Sequence, residues 1–177
     1  MIVLSLDIAS KTGWSLLEDS KLLDYGLISY KIKTNEYPWG IYSAAKENAE
    51  LIFNQVLLLP QAEVVIIERT NSPRGRNSQN FLEYVHAFLL QKFDEAGLAQ
   101  KVIYMNSGTW RKKVGLVMSK EDKKHNKARR ASKKVVGGII TKKHLAVRLA
   151  NEVFGLSLIQ KDDDLSDSLL LALAYFK

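Results

Sequence analysis

The sequence contains no cysteine among its 177 residues. Disulfide bonds and cysteine-ligated zinc are therefore excluded, which fits a reducing compartment. The chain also lacks an apolar run near the roughly 18 residues that cross a bilayer, so no membrane association is expected. The N-terminus has no basic region, and Asp7 interrupts the first apolar run, so we expect a cytoplasmic rather than an exported protein.

What the sequence does have is an uneven distribution of charge. The formal net charge is +7. Residues 119–143 contain ten lysines and arginines against two acidic residues, a net +8 that leaves −1 for the rest of the chain. Such asymmetry indicates a polyanionic partner that is bound mainly through one loop, although a solvated lysine-rich loop would have the same composition.

Length and composition suit a single α/β domain over residues 1–177, with a hydrophobic fraction of 46%. Apolar periodicity predicts the element order β-β-β-α-β-α-β-α-α, and therefore a mixed five-stranded sheet with helices on both faces. Strands are predicted at 2–7, 14–17, 25–32, 64–67 and 102–105, and helices at 40–58, 78–96, 141–154 and 165–176. A turn is predicted at 10–13, and loops at 70–80 and 119–143.

Carboxylates interrupt the apolar segments at three widely separated places. Asp7 ends the first strand, Glu68 follows the strand 64–67, and Asp164 and Asp167 open the last helix. The first and fourth strands can be parallel neighbours, and open α/β sheets bind ligands at the carboxyl ends of such strands. Taken singly, each residue suits an ordinary turn or helix N-terminus. Taken together, the three places predict one cluster.

A cluster of three or four carboxylates favours a cation at its centre. The carboxylates repel one another, so each resists ionisation unless a positive charge neutralises it. Hard divalent ions prefer oxygen ligands, and paired ions about 4 Å apart promote in-line cleavage of phosphodiesters. The pattern therefore predicts metal-dependent cleavage of nucleic acid.

Three motifs follow one another across the chain: LDIASKTGW at 6–14, VIIER at 65–69 and DLSDSL at 164–169. Together they resemble the RuvC family of Holliday junction resolvases, and the aspartate pair of the last motif is their most specific part. The resemblance implies an RNase H-like fold and a homodimer. It further implies a crossover junction endodeoxyribonuclease that nicks four-way DNA junctions symmetrically, in the cytoplasm of a bacterial or phage-infected cell.

The same resemblance assigns the site residues. It implies two Mg²⁺ ions per active site, with Mn²⁺ as a substitute, held by Asp7, Glu68, Asp164 and Asp167. Because three aspartates stand in a row, Asp163 is an alternative to Asp164. Two features depart from the family. Residues 69–71 are polar where some members carry an aromatic side chain that wedges into the junction. The basic segment 119–143 is longer than in cellular members, which suggests a phage-type variant.

Cations beside the carboxylates and in the basic segment are predicted to contact DNA phosphates. Trp110 precedes two of them and offers a stacking surface, unless it belongs to the core. The helix 78–96 carries apolar residues on more than one face, so it is the predicted dimer interface unless another helix of the same subunit covers it. The predicted DNA-binding residues are Arg69, Arg74, Arg76, Arg111, Lys112, Lys123, Lys124, Lys127, Arg129, Arg130, Lys133 and Lys134.

Other functions stay open from the sequence alone. A ribonuclease H-type or RNA-processing nuclease would share the fold and the metals but would prefer an RNA–DNA hybrid. A non-cleaving protein of the same fold would bind junctions without cutting them. A sugar kinase or actin-like ATPase also begins with a strand that ends in aspartate. Those proteins usually need glycines after it, where this chain has Ala9, and about twice this length.

Overall fold

The computed structural model describes residues 1–9, 11–30, 36–69, 76–132 and 137–177, without the side chain of Asn77. Five strands form one mixed sheet in the order β3-β2-β1-β4-β5. Short connections make the first three strands antiparallel neighbours, whereas β1, β4 and β5 are parallel because helices separate them along the chain. The strands are β1 (Ile2–Ile8), β2 (Lys11–Glu18), β3 (Lys21–Ser29), β4 (Val64–Arg69) and β5 (Val102–Asn106). The predicted five-stranded α/β architecture is confirmed.

The described residues form six α-helices, five of which cover the two faces of the sheet. They are α1 (Trp39–Leu58), α2 (Arg76–Glu95), α3 (Ser107–Lys113), α4 (Lys120–Ala131), α5 (Lys142–Phe154) and α6 (Asp163–Leu173). Short 3₁₀ turns occupy Ala99–Lys101, Gln160–Asp162 and Ala174–Phe176. Helices α1 and α2 bury their apolar sides against one face of the sheet, and α3, α5 and α6 against the other. Within the described ranges, none of these helices has both the length and the hydropathy needed to cross a bilayer.

Three local predictions are wrong. The basic segment 119–143 was predicted as a loop, but it contains α4, which Ser119 and Asp122 begin with a capping box. Residues 11–13 belong to β2 rather than to a turn, and residues 76–80 belong to α2 rather than to a loop. Periodicity cannot find α4, because a helix made almost entirely of charged residues has no apolar stripe.

Helix α2 does have two apolar sides, and a neighbour in the same chain covers the second one. Tyr42 on α1 contacts Tyr84 and Phe88 with ring centroids 6.0 and 4.9 Å apart, and Phe53 contacts Phe93 at 5.4 Å. The apolar surplus of this helix therefore needs no second subunit to explain it.

Helix α6 is the most deeply buried helix of the fold. Every residue from Leu165 to Ala174 is buried, against the strands β1 and β2 on one side and α5 on the other. The hydroxyl groups of Ser5 and Ser15, which are paired in register, both donate to the main-chain carbonyl of Ser168, at 2.7 and 3.2 Å. Those bonds satisfy buried polar groups and fix the helix along the sheet.

Gly13 allows the first turn of α6 to lie directly on the sheet. Gly13 is the register partner of Asp7, and a Cβ built on it would stand 2.0 Å from the main-chain oxygen of Asp164. Real Cβ atoms do not come that close to backbone. Glycine at this position therefore brings the aspartates of α6 to the end of β1.

Candidate metal centre at the sheet edge

Three carboxylates from three different elements meet at one edge of the sheet. Asp7 comes from β1, Glu68 from β4 and Asp167 from α6, and one oxygen of each lies within 4.8 Å of the others. The parallel register explains the first two, because Leu6 is paired with Ile67 and the next residue of each strand is the carboxylate. Close contact at Gly13 explains the third.

Burial raises the pKa of all three carboxylates. Burial raises the pKa of Asp7 well above its usual range, and the charges of Glu68, Asp167 and Asp164 raise it further. Burial also raises the pKa of Asp167, to about 6, although Arg111 opposes the shift. The pKa of Glu68 is raised by burial as well, against the hydrogen bond from Trp110. Negative charge is thus costly here without a compensating cation.

The three aspartates at the start of α6 have different surroundings. Asp164 is near enough for its charge to raise the pKa of Asp7. Asp163 instead forms an ion pair with Lys143 on α5. Neither Asp163 nor Asp164 is one of the three residues whose oxygens meet, and Lys143 lies at the border of the cluster. The choice between Asp164 and Asp163 as a ligand stays a prediction.

Helix α3 supports the cluster from the side with two adjacent residues. The indole Nε1–H of Trp110 donates to Oε2 of Glu68 at 2.8 Å. Arg111 donates from Nη2 to Oδ2 of Asp167 at 3.1 Å, and its guanidinium lies 4.7 Å from the Trp110 ring centroid. Trp110 is fully buried, so it is not a surface for stacking bases. Its contact with Glu68 was missed, since nothing in the sequence relates position 110 to position 68.

Part of the hydrogen-bonding capacity of the site is unused. Oδ1 of Asp167 is buried without a hydrogen-bond partner, and so is Nε of Arg111. Buried polar atoms are normally satisfied, so an unsatisfied carboxylate oxygen in a group of three calls for a further partner. An oxygen-rich donor set with raised pKa values suits a hard divalent cation.

The predicted DNA-binding residues are distributed over several places. Arg111 lies inside the carboxylate site, while Arg69 ends β4, Arg76 begins α2 and Lys112 is exposed on α3. Five of the predicted residues lie on α4, of which Arg129 is half-buried and the rest are exposed: Lys123, Lys124, Lys127, Arg129 and Arg130. Arg74, Lys133 and Lys134 are outside the described residues.

Comparison with known proteins identifies the fold. No family model matches the sequence, and no curated protein matches it. Among solved structures, RuvC of Thermus thermophilus in complex with a Holliday junction substrate matches with a TM-score of 0.64, at 17% identity over 99% of this chain and 93% of that one. Another structure of Thermus thermophilus RuvC gives 0.65 at 16% identity, over 99% and 94% of the two chains.

A third solved structure has the same fold at lower similarity. The yeast mitochondrial Holliday junction resolvase Ydc2 matches with a TM-score of 0.56, at 13% identity over 98% of this chain and 77% of that one. The chain therefore has the RNase H-like fold of RuvC, as the sequence motifs predict.

Proposed function

We propose that this protein is a metal-dependent endodeoxyribonuclease that resolves four-way DNA junctions by paired, symmetric nicks. The observation that carries the proposal is the group of Asp7, Glu68 and Asp167, whose oxygens lie within 4.8 Å of one another at the ligand-binding edge of the sheet. Similarity of fold to junction resolvases, one of them in complex with a Holliday junction, supports the choice of substrate. In this proposal residues 1–177 act as one nuclease domain.

The residues present fit a divalent cation. Asp7, Glu68, Asp164 and Asp167 would hold two Mg²⁺ ions, or Mn²⁺ in their place, and the unpartnered Oδ1 of Asp167 is free to serve as a ligand. When bound, such ions neutralise the carboxylates, lower the pKa of a bound water and stabilise charge on the leaving oxygen. The carboxylates would fix the positions of these ions relative to the DNA strand.

Two cations of the chain border the cluster and would attract the phosphate. Arg111 is fixed by Asp167 and by the Trp110 ring, so its guanidinium is already oriented. Lys143 is held by Asp163, and that contact raises the pKa of the lysine, which therefore stays protonated at neutral pH. We propose these two residues as the cations that position the scissile phosphate beside the carboxylates.

We also propose that the active form is a homodimer, since a four-way junction offers two equivalent strands and paired nicks need two sites related by a two-fold axis. The open side of α2 and the edge strand β5 offer a surface for the second copy. Leu90 is 39% exposed, and Ile103 and Tyr104 are 37% and 39% exposed. A groove of about 580 Å³ separates the two elements, lined by Arg69, Glu83, His86, Ala87, Leu90 and Tyr104. A second subunit would cover both the groove and an unpaired sheet edge.

The function is tested by comparing a four-way junction with a linear duplex of the same arm sequences, each with Mg²⁺ and with EDTA. We expect paired nicks in the junction only, with Mg²⁺ only, and none with Glu68→Gln. A third substrate with one RNA–DNA hybrid arm separates the main alternative. Preferential cutting of the hybrid would make the protein a ribonuclease H-type enzyme. Tight junction binding with no cutting under any metal would make it a non-cleaving binding protein.

A further inference from the structure

Three basic residues of helix α4 line one groove. Lys123, Lys127 and Arg130 lie on the face that borders a groove of about 480 Å³, whereas Lys120 and Lys124 do not line it. The opposite wall of the groove is the segment that leads into α5. The groove is lined by Met118, Lys123, Asn126, Lys127, Arg130, Ile139, Ile140 and Thr141, none of which is acidic.

Both walls of this groove are fixed in place. Asp122 on α4 is buried and forms an ion pair with Arg148 on α5, with 3.2 Å between Arg148 Nη1 and Asp122 Oδ1. Asn126 donates from Nδ2 to the carbonyl of Ile140 at 2.8 Å and accepts from its N–H at 2.7 Å. His125 contacts the carbonyl of Gly138 at 3.0 Å. The groove is therefore a formed feature and not a gap beside a loose lysine-rich helix.

The spacing of the three cations suits a nucleic-acid strand. Positions 123, 127 and 130 are successive places on one helical face, and at a rise of about 1.5 Å per residue they span about 10 Å. A strand that follows this face can present successive phosphates to the three cations.

The groove also leads toward the carboxylate cluster. It ends at Thr141, the residue before α5, and the first turn of α5 carries Lys143, which contacts Asp163 beside the cluster. A strand in the groove would thus continue over the start of α5 to the proposed cleavage site.

From these observations we propose that the groove between α4 and residues 137–141 binds the sugar-phosphate backbone of the DNA arm next to the cleaved phosphodiester. Lys123, Lys127 and Arg130 are its phosphate ligands. This inference rests on the proposed function for the identity of the polymer. It adds which cations of α4 contact the DNA and which part of the substrate they contact.

The experiment compares two double variants that remove the same charge from the same protein. Lys123→Gln with Lys127→Gln changes the groove, and Lys21→Gln with Lys46→Gln changes two exposed lysines on β3 and α1 that do not line it. Binding of a four-way junction and of a plain duplex is measured over a range of salt concentrations. Each phosphate contact contributes about 0.9 to the slope of log K against log salt, so the groove variant should flatten the slope by about 1.8 and the control by far less.

A second measurement locates the contact. Hydroxyl-radical footprinting on the junction, in a Glu68→Gln background that leaves the DNA intact, should show protection beside the cut site that the groove variant alone loses. Equal slopes for the two double variants, with equal footprints, would overturn the proposal. Circular dichroism confirms that α4 stays folded in both. These measurements need no cleavage. A difference in slope on plain duplex would therefore support DNA binding in the groove even if the wild-type protein does not cut junctions.

Discussion

The two oxygens of Asp167 have different partners. Oδ2 is bound by Arg111 at 3.1 Å, while Oδ1 is buried with no hydrogen-bond partner. One side of the carboxylate is thus fixed to α3, and the other is directed to whatever the cluster binds. Asp167 is therefore oriented by α3 through one oxygen, and in the proposed function its other oxygen binds the metal ion.

Replacing any one carboxylate should stop cleavage. We expect Asp7→Asn, Glu68→Gln and Asp167→Asn each to reduce junction cutting with Mg²⁺ by about a thousandfold, because a lost metal ligand removes several kcal/mol of charge stabilisation. Junction binding should stay equal or become tighter, since a negative charge near DNA is removed. Glu63→Gln, an exposed glutamate just before β4, is the matched control. Near wild-type cutting by one of the three variants would remove that residue from the ligand set.

Trp110 is expected to act as a positioning residue for Glu68. Trp110→Phe keeps an aromatic side chain in the core but removes the 2.8 Å hydrogen bond to Oε2. Losing a partner that orients a metal ligand typically costs about 10–100-fold in metal affinity or activity. We expect calorimetric Mn²⁺ affinity to fall in that range, with junction affinity unchanged. Trp39→Phe, at a tryptophan 74% exposed, should leave both unchanged. If Trp110→Phe binds Mn²⁺ as tightly as the wild type, Trp110 has a role in the core only.

Without divalent ions, the contribution of Asp167 to stability should fall as the pH rises. Burial raises the pKa of Asp167 from 3.8 to about 6, so the folded state holds its proton more tightly than the unfolded chain. This contribution is complete below about pH 4 and is lost as the pH rises through about 6, by on the order of 2 kcal/mol. Burial lowers the pKa of His86 to about 4, which adds stability over the same pH range, so the loss is measured as the difference between wild type and Asp167→Asn in urea unfolding with EDTA at pH 4 to 7. Mg²⁺ should restore stability above pH 6 in the wild type only.

At the scale of elements, the position of α6 depends on a missing side chain in β2. Gly13→Ala would place a Cβ against the main chain of Asp164, which cannot move as a flexible side chain would. We expect a loss of about 1–3 kcal/mol of folding free energy, as for an overpacked core. Cleavage should fall further than stability explains, because the first turn of α6 carries the aspartates. Gly138→Ala is the control for stability, since an added Cβ there meets nothing within 4 Å. Wild-type cleavage by Gly13→Ala would show that the helix start tolerates displacement.

Several of these elements could be predicted from the sequence. The strands that carry Asp7 and Glu68 are short and apolar, and their parallel pairing follows from the order of elements, so the edge where they meet was predictable. The start of α6 was also predictable, because a run of aspartates is a strong local signal for a helix N-terminus.

Two helices could not be predicted in that way. Helix α4 has no apolar periodicity, and its position depends on the buried pair of Asp122 and Arg148 and on Asn126, which bonds to the main chain of Ile140. Helix α3 is only seven residues long and begins where Asn106 caps it. Contacts between residues far apart in sequence, such as Trp110 with Glu68, depend on packing that local patterns do not contain.

At the scale of the whole molecule, the proposed homodimer makes a specific prediction. Leu82 and the aromatic residues of α2 face the core of the same chain, so the exposed Leu90 is the better probe of an interface. We expect Leu90→Glu to convert a dimer into a monomer by sedimentation equilibrium. The variant should nick one strand at a time instead of two together. Leu51→Glu, at a leucine 48% exposed on α1, is the matched control. A monomeric wild type that still makes paired nicks would contradict the dimer.

If the proposed function holds, the late position of α6 along the chain decides when this protein can cut DNA during its own synthesis. The hydrogen bond between Ser5 and Ser168 joins residues 163 positions apart, so the helix docks long after the first strand has left the ribosome. All five strands and α4 precede it. If the proposed function holds, a nascent chain could already attach to nucleic acid through its basic helix while lacking Asp167. Cleavage would then be delayed until α6 has been synthesised. A chain that ends early would bind DNA without cutting it.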